Sequence, residues 1–180
     1  MPGFSFLSGK HTRMAKFAIL AAALGILPAS QTRLGDFENR MVAVHNAERA
    51  QKGAPAMEWD VELARDAQSY ADQLSRTGKF EHVASFDDGE VQGENLWRGP
   101  ANAYGPERMV RLWVEEKQHF KRGRFPHNAV TGNVADVSHF TQMIWRRTQR
   151  VGCAVASDGV TEVLVCRYSQ PGNVIGQRVL

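Results

Sequence analysis

The chain has 180 residues with 22 Lys and Arg against 19 Asp and Glu, a formal net charge of +3. Residues 1–31 hold Lys10, Arg13 and Lys16 and no acidic residue, so the remainder is balanced at 19 of each sign. A balanced domain lacks the strongly basic face of a nucleic-acid binder, and no nucleic-acid partner is expected.

Residues 1–31 read as a secretory signal peptide: basic residues, an apolar run over residues 17–27, then Pro28-Ala29-Ser30. Met14 is an alternative start, since Met-Ala-Lys before the same run is itself a complete leader. The run is shorter than the about 20 residues of a bilayer span, so no stable transmembrane segment is expected after processing. A retained N-terminal anchor is the other reading. Residues 36–180 are expected to form one domain.

Asp36 is placed to cap a first helix to about Gln51, ended by Gly53 and Pro55. Asp60 caps a second, in which Leu63, Ala67, Tyr70, Ala71 and Leu74 form an apolar stripe ending at Gly78. Helical periodicity vanishes over residues 79–103. This reads as a long loop holding His82, Gly93, Glu94 and Asn95, and so long a loop in a compact domain is usually functional. Pro106 opens a third helix with Met109, Val110, Trp113, Lys117 and Phe120 on one face. Residues 126–135 are irregular. In Ser138-His139-Phe140-Thr141-Gln142-Met143-Ile144-Trp145, Asp136 or Ser138 caps a helix that buries Phe140, Met143 and Ile144. His139 falls in its first turn, where the helix dipole disfavours imidazolium and leaves a ring able to bind a metal or accept a proton.

Two β-branched runs, residues 151–157 and 160–168, flank Asp158-Gly159 and read as a hairpin. A four-residue loop over residues 158–161 sets Cys153 opposite Cys166. Export would oxidise the pair, and closing a loop of this size stabilises by about 3 kcal/mol in the chain-entropy model. Two reduced thiols is the alternative for an unexported chain. Helices followed by a hairpin give an α+β layer structure. Two basic clusters, Lys121-Arg122-Arg124 and Arg146-Arg147-Arg150, fit either solvated helix ends or an anionic envelope partner.

Four segments carry a family resemblance. The His139 segment and Val163-Leu164-Val165-Cys166-Arg167-Tyr168-Ser169-Gln170-Pro171-Gly172-Asn173-Val174 are similar to the two signature segments of the CAP superfamily, the secreted proteins that include cysteine-rich secretory proteins, antigen 5 and pathogenesis-related class 1 proteins. His45-Asn46-Ala47-Glu48-Arg49 resembles its H-N-x-x-R, and Gly93-Glu94-Asn95-Leu96 its G-E-N-L. The resemblance implies a secreted or periplasmic, single-domain member of bacterial type, folded as a three-layer α-β-α sandwich around a small central antiparallel sheet.

The resemblance also implies a cleft with two histidines and two glutamates: His82, Glu94, Glu116 and His139, with Glu115 replacing Glu116 if the helix register slips by one. It assigns supporting roles to His45, Asn46, Arg49, Asn95, Tyr168 and Asn173. His82 and His139 with the carboxylates can hold zinc or another divalent metal; alternatively the carboxylates only fix the imidazole N–H groups. The spacing Glu116-x-x-His119 is a single copy of a motif that di-iron bundles use in pairs, and His119 is expected on a solvated face. No H-E-x-x-H or G-x-S-x-G is present, and Ser138 and His139, adjacent on a helix, point apart. The expected function is a non-enzymatic module binding a sterol, a fatty acid, an envelope component or a protein; the alternative is a metal-dependent hydrolase or peptidase using the same cleft.

Overall fold

A computed structural model of the chain describes residue 3, residues 33–83 and residues 91–180. The leader reading, including Met14, lies outside the described residues. The centre of the fold is the expected hairpin, β3 (Arg150–Ser157) and β4 (Thr161–Ser169), antiparallel with Cys153 opposite Cys166. Asp158 Oδ1 accepts from the amides of Val160 at 2.8 Å and Thr161 at 2.6 Å, which sets the turn, and Gly159 supplies its positive φ of 90°. The two cysteines form a disulfide, with 4.1 Å between their Cα atoms.

Residues 79–103 are not all loop. Gly93–Pro100 form β2, antiparallel along the other edge of β4, with Glu94 opposite Arg167 and Asn95 opposite Cys166. The strand escapes an apolar-alternation reading because Glu94 and Asn95 occupy its inward positions. A two-residue β1 (Glu58–Trp59) joins β3 in parallel, so the order is β1-β3-β4-β2 and only this short edge departs from an antiparallel sheet.

Side chains alternate along β4 and sort the core into two layers. Val163 and Val165 pack with Leu96 and Ala154 against Ala67, Tyr70, Ala71 and Leu74, the apolar stripe of α2 (Val61–Thr77). Leu164, Cys166 and Tyr168 face the opposite way, into a core with Met41, Met109, Trp113, Phe140 and Met143. Those residues come from α1 (Phe37–Lys52), α3 (Pro106–Glu115) and α4 (Ser138–Met143), which completes an α-β-α sandwich. Among the described residues no helix is long and apolar enough to cross a membrane.

The helix ends separate what local sequence controls from what it does not. Asp60 caps α2 as expected, its Oδ1 accepting from Glu62 N at 2.9 Å and Leu63 N at 3.1 Å. Asp36 does not cap α1. Its backbone is left-handed, at φ 55°, rather than in the extended region a cap requires, and its carboxylate takes the Asn39 amide instead. Neither Asp136 nor Ser138 caps α4: Val137 holds the cap position, and Asp136 is engaged by Thr131 and Asn133. Helix α3 stops at Glu115 in a 3₁₀ turn over Glu116–Gln118, so Lys117 and Phe120 lie beyond it, Lys117 bonded to Glu48 and Phe120 edge-on to Phe140.

Candidate functional site

Glu116, at the 3₁₀ turn that ends α3, supplies the cap that α4 lacks. Its Oε2 accepts from the Phe140 amide at 2.9 Å, the third residue of α4, while Oε1 meets His139 Nδ1 at 2.6 Å. One carboxylate therefore neutralises the positive end of α4 and holds its histidine. Trp113, one turn earlier on α3, stacks on the His139 ring at 5.8 Å between centroids and 8° between planes, with its Nε1 held by Leu96 O. Glu115 turns outward to Arg111 and takes no part.

The second histidine is held in the same manner from the opposite face of β2. Strand alternation sends Glu94 toward the end of α2 and Asn95 toward α4. Glu94 Oε1 contacts His82 Nδ1 at 2.6 Å and accepts from Val83 N at 3.2 Å; Oε2 lies 2.9 Å from Arg167 Nη2. Glu94 is nearly buried while His82 is 64 % exposed, and the hydrogen bond to Glu94 raises the His82 pKa above the usual imidazole value. Arg167, itself buried, lies over the Tyr70 ring at 4.9 Å. Burial lowers its pKa.

Between these pairs lies a cleft of about 360 Å³, lined among others by His82, Glu94, Asn95, Ser138, His139 and Asn173. Glu116 stands behind His139, outside the lining, and His119 is also not part of it. Each imidazole spends Nδ1 on a glutamate, so Nε2 is the nitrogen left for a ligand. No hydroxyl or thiol among the described residues is hydrogen-bonded to either ring, and both cysteines are in the disulfide. Among the described residues, no group of three or more His, Cys, Asp or Glu is arranged to hold a metal ion. Each of the two imidazoles is oriented by a carboxylate, the outer-shell arrangement that metal-binding histidines commonly have.

The supporting residues form a buried frame under the cleft. His45 Nδ1 donates to Met41 O at 2.8 Å, which leaves Nε2 to accept from the Tyr168 hydroxyl at 2.9 Å. Asn95 Nδ2 donates to Tyr168 Oη at 3.3 Å and to the His139 carbonyl at 3.1 Å. This chain of bonds ties α1, β4 and β2 to the backbone of His139. Burial, with Arg49 nearby, pushes His45 down to about 4, although Met41 O favours its protonated form. Burial likewise raises the Tyr168 phenol. Asn46 bonds both ways with the Met57 backbone. Arg49, fully buried, donates to Pro55 O, Met143 O, Trp145 O and Thr148 O and so closes the C-terminus of α4.

Asn173, at φ 56°, accepts from Thr141 Oγ1 at 2.6 Å and donates to Ser138 O at 2.8 Å, fixing the start of α4 from the far side. Sequence reasoning passes over Gln142, Trp113 and Arg167 as site residues. Gln142 Oε1 accepts from Gly172 N at 2.8 Å, and a Cβ on Gly93 or Gly172 would lie within 3.0 Å of its amide group. Two glycines flanking the signature helix in space, each inside a motif, are the signal that marks it.

The chain matches the family model of the cysteine-rich secretory protein family, CAP, over residues 42–168. It is 34 % identical over 170 residues to pathogenesis-related protein 1 of Arabidopsis thaliana, covering 94 % of this chain and 98 % of that one. It is 39 % identical over 137 residues to the basic form of pathogenesis-related protein 1 of Nicotiana tabacum, covering 74 % and 70 %. Among solved structures, that of NaASP2 with Zn2+ superposes with a TM-score of 0.65 at 19 % identity, covering 88 % of each chain. With its four motifs carried on this sandwich and its family model spanning most of the sequence, the chain belongs to the CAP family of cysteine-rich secretory proteins.

Proposed function

We propose that this CAP domain is an exported, non-catalytic binding module, secreted or periplasmic, whose His82 and His139 take up a divalent cation such as zinc. One observation carries the reading: both cleft imidazoles have Nδ1 held at 2.6 Å by a glutamate, which leaves Nε2 of each as the ligand atom. A bound cation supplies a positive centre with coordination positions open to water or to oxygens of a larger ligand. Glu94 and Glu116 orient the rings and offset its charge. The Zn2+ of the NaASP2 structure is in keeping with this reading.

The larger ligand is a sterol, a fatty acid, an envelope component or a protein partner. An apolar groove of about 430 Å³, lined by Leu34, Phe37, Trp59, Val61 and Ala64 over β3, has the size of a small-molecule site and supports the lipid form of the reading. Calorimetric titration with zinc tests the cation site. Saturable binding that His82→Ala with His139→Ala abolishes supports it, and equal affinity in the two proteins would sink it.

A further inference from the structure

A second cleft, of about 330 Å³, is lined by Arg124, Arg146, Arg147 and Arg178 together with Gln177 and Leu180. The four arginines come from three chain segments that backbone bonds stitch together. Phe125 N donates to Gln177 O at 2.9 Å, Gly176 N to Phe125 O at 2.8 Å, and Arg146 N to Val179 O at 2.8 Å. The structure thus re-sorts the two basic runs of the sequence: Arg124 joins Arg146 and Arg147, while Arg150 leaves for Asp60.

None of the four forms an ion pair with a carboxylate among the described residues. Between Lys117 and Leu180 the acidic side chains are Asp136, Asp158 and Glu162, against nine Lys and Arg, and each is engaged elsewhere. Asp136 takes Thr131 and Asn133, Asp158 caps the hairpin turn, and Glu162 pairs with Arg33. Two of the four are aimed by single bonds to carbonyls, Arg124 to Gly176 O at 2.6 Å and Arg146 to Gly53 O at 3.2 Å, which leave most guanidinium donors unused. The side chains of Arg147 and Arg178 make no hydrogen bond among the described residues, although the Arg178 backbone pairs with that of Arg124. Arg147 and Gln177 also line an adjoining depression walled by Val91, Trp145, Pro171 and Val174, which gives room for an apolar substituent.

We propose that Arg124, Arg146, Arg147 and Arg178 form a binding site for a phosphate-bearing anion, separate from the histidine cleft. Guanidinium forks match the oxygens of a phosphoryl group, and four arginines without a carboxylate ion pair around one concavity favour an anion over a neutral ligand. The phosphate is either on a small molecule or on a lipid headgroup.

The test titrates the purified protein at low ionic strength with inorganic phosphate and glycerol 3-phosphate by calorimetry. In parallel it is sedimented with phosphatidylcholine vesicles, with and without phosphatidylglycerol. Saturable binding that weakens by roughly tenfold or more in Arg147→Ala with Arg178→Ala supports the site. Binding of the soluble phosphates assigns a free ligand; binding confined to the phosphatidylglycerol vesicles assigns a headgroup. Thermal unfolding of the variant should match wild type, since neither side chain bonds to the fold. His82→Ala with His139→Ala should leave the binding unchanged, which distinguishes this site from the cation site. Failure of the wild-type protein to bind any of these probes, or equal binding by the arginine variant, would overturn the proposal.

Discussion

Replacing Arg49 by Met tests how the cleft is held. Arg49 is fully buried and its guanidinium donates four hydrogen bonds, to Pro55 O at 2.6 Å, Met143 O at 3.0 Å, Trp145 O at 2.9 Å and Thr148 O at 2.7 Å. Methionine replaces much of the stem and none of the donors. A buried acceptor left without a partner costs about 1–3 kcal/mol, but Pro55 lies at the surface, where water can replace the donor. Removing the charge also returns part of its desolvation, the same burial that pushes Arg49 down to about 10. The net loss expected is about 3–5 kcal/mol, the scale for breaking a buried charged cluster from one side. For a domain of this size that lowers Tm by on the order of 10 °C. Urea unfolding followed by tryptophan fluorescence measures it. Because Met143 ends the helix that carries His139 in its first turn, ligand affinity at the cleft should fall in parallel. A variant within about 1 kcal/mol of wild type, against the orphan-acceptor cost above, would refute the reasoning.

Acid should destabilise the protein through His45. The unfolded ring protonates below about 6.5 and the folded one only near 4, so between these values the unfolded state holds the extra proton and stability falls as pH falls. The loss is about 3 kcal/mol across that window, and His45→Gln should flatten it; an unchanged pH slope in the variant would contradict the assignment. His82, with its raised pKa, has the opposite sign: its contribution is complete below about 6.5 and disappears as pH rises above that. Gly152→Ala should destabilise by about 2 kcal/mol or more, because its Cβ would lie 2.1 Å from Ala64 N and 2.6 Å from Asp60 O, both backbone atoms that cannot rotate away. A thermal midpoint equal to wild type would show that α2 shifts freely on β3.

Features whose causes are local are the ones legible in the sequence. The α2 stripe with its Asp60 cap, and the hairpin with its Asp158-Gly159 turn and facing cysteines, follow from periodicity and turn chemistry within a few residues. Features completed from a distance are not. The cap of α4 comes from Glu116, 24 residues before Phe140, so the nearer Asp136 and Ser138 draw attention away from it. Strand β2 is hidden because the site fills its inward positions with Glu94 and Asn95. Which glutamate serves which histidine depends on the alternation of that strand, and local spacing does not encode it. The arginine cleft, assembled from three segments, is visible only once backbone bonds bring them together.

The central claim is that the cleft histidines are held by Nδ1 and offer Nε2. Long-range proton–nitrogen NMR of the imidazoles, at a pH above the raised His82 pKa and before and after zinc is added, measures this most directly. The neutral rings of His82 and His139 should carry their proton on Nδ1, and zinc should shift the Nε2 resonances of both. Protons on Nε2, or rings that do not respond to zinc while the fold remains intact, would contradict it.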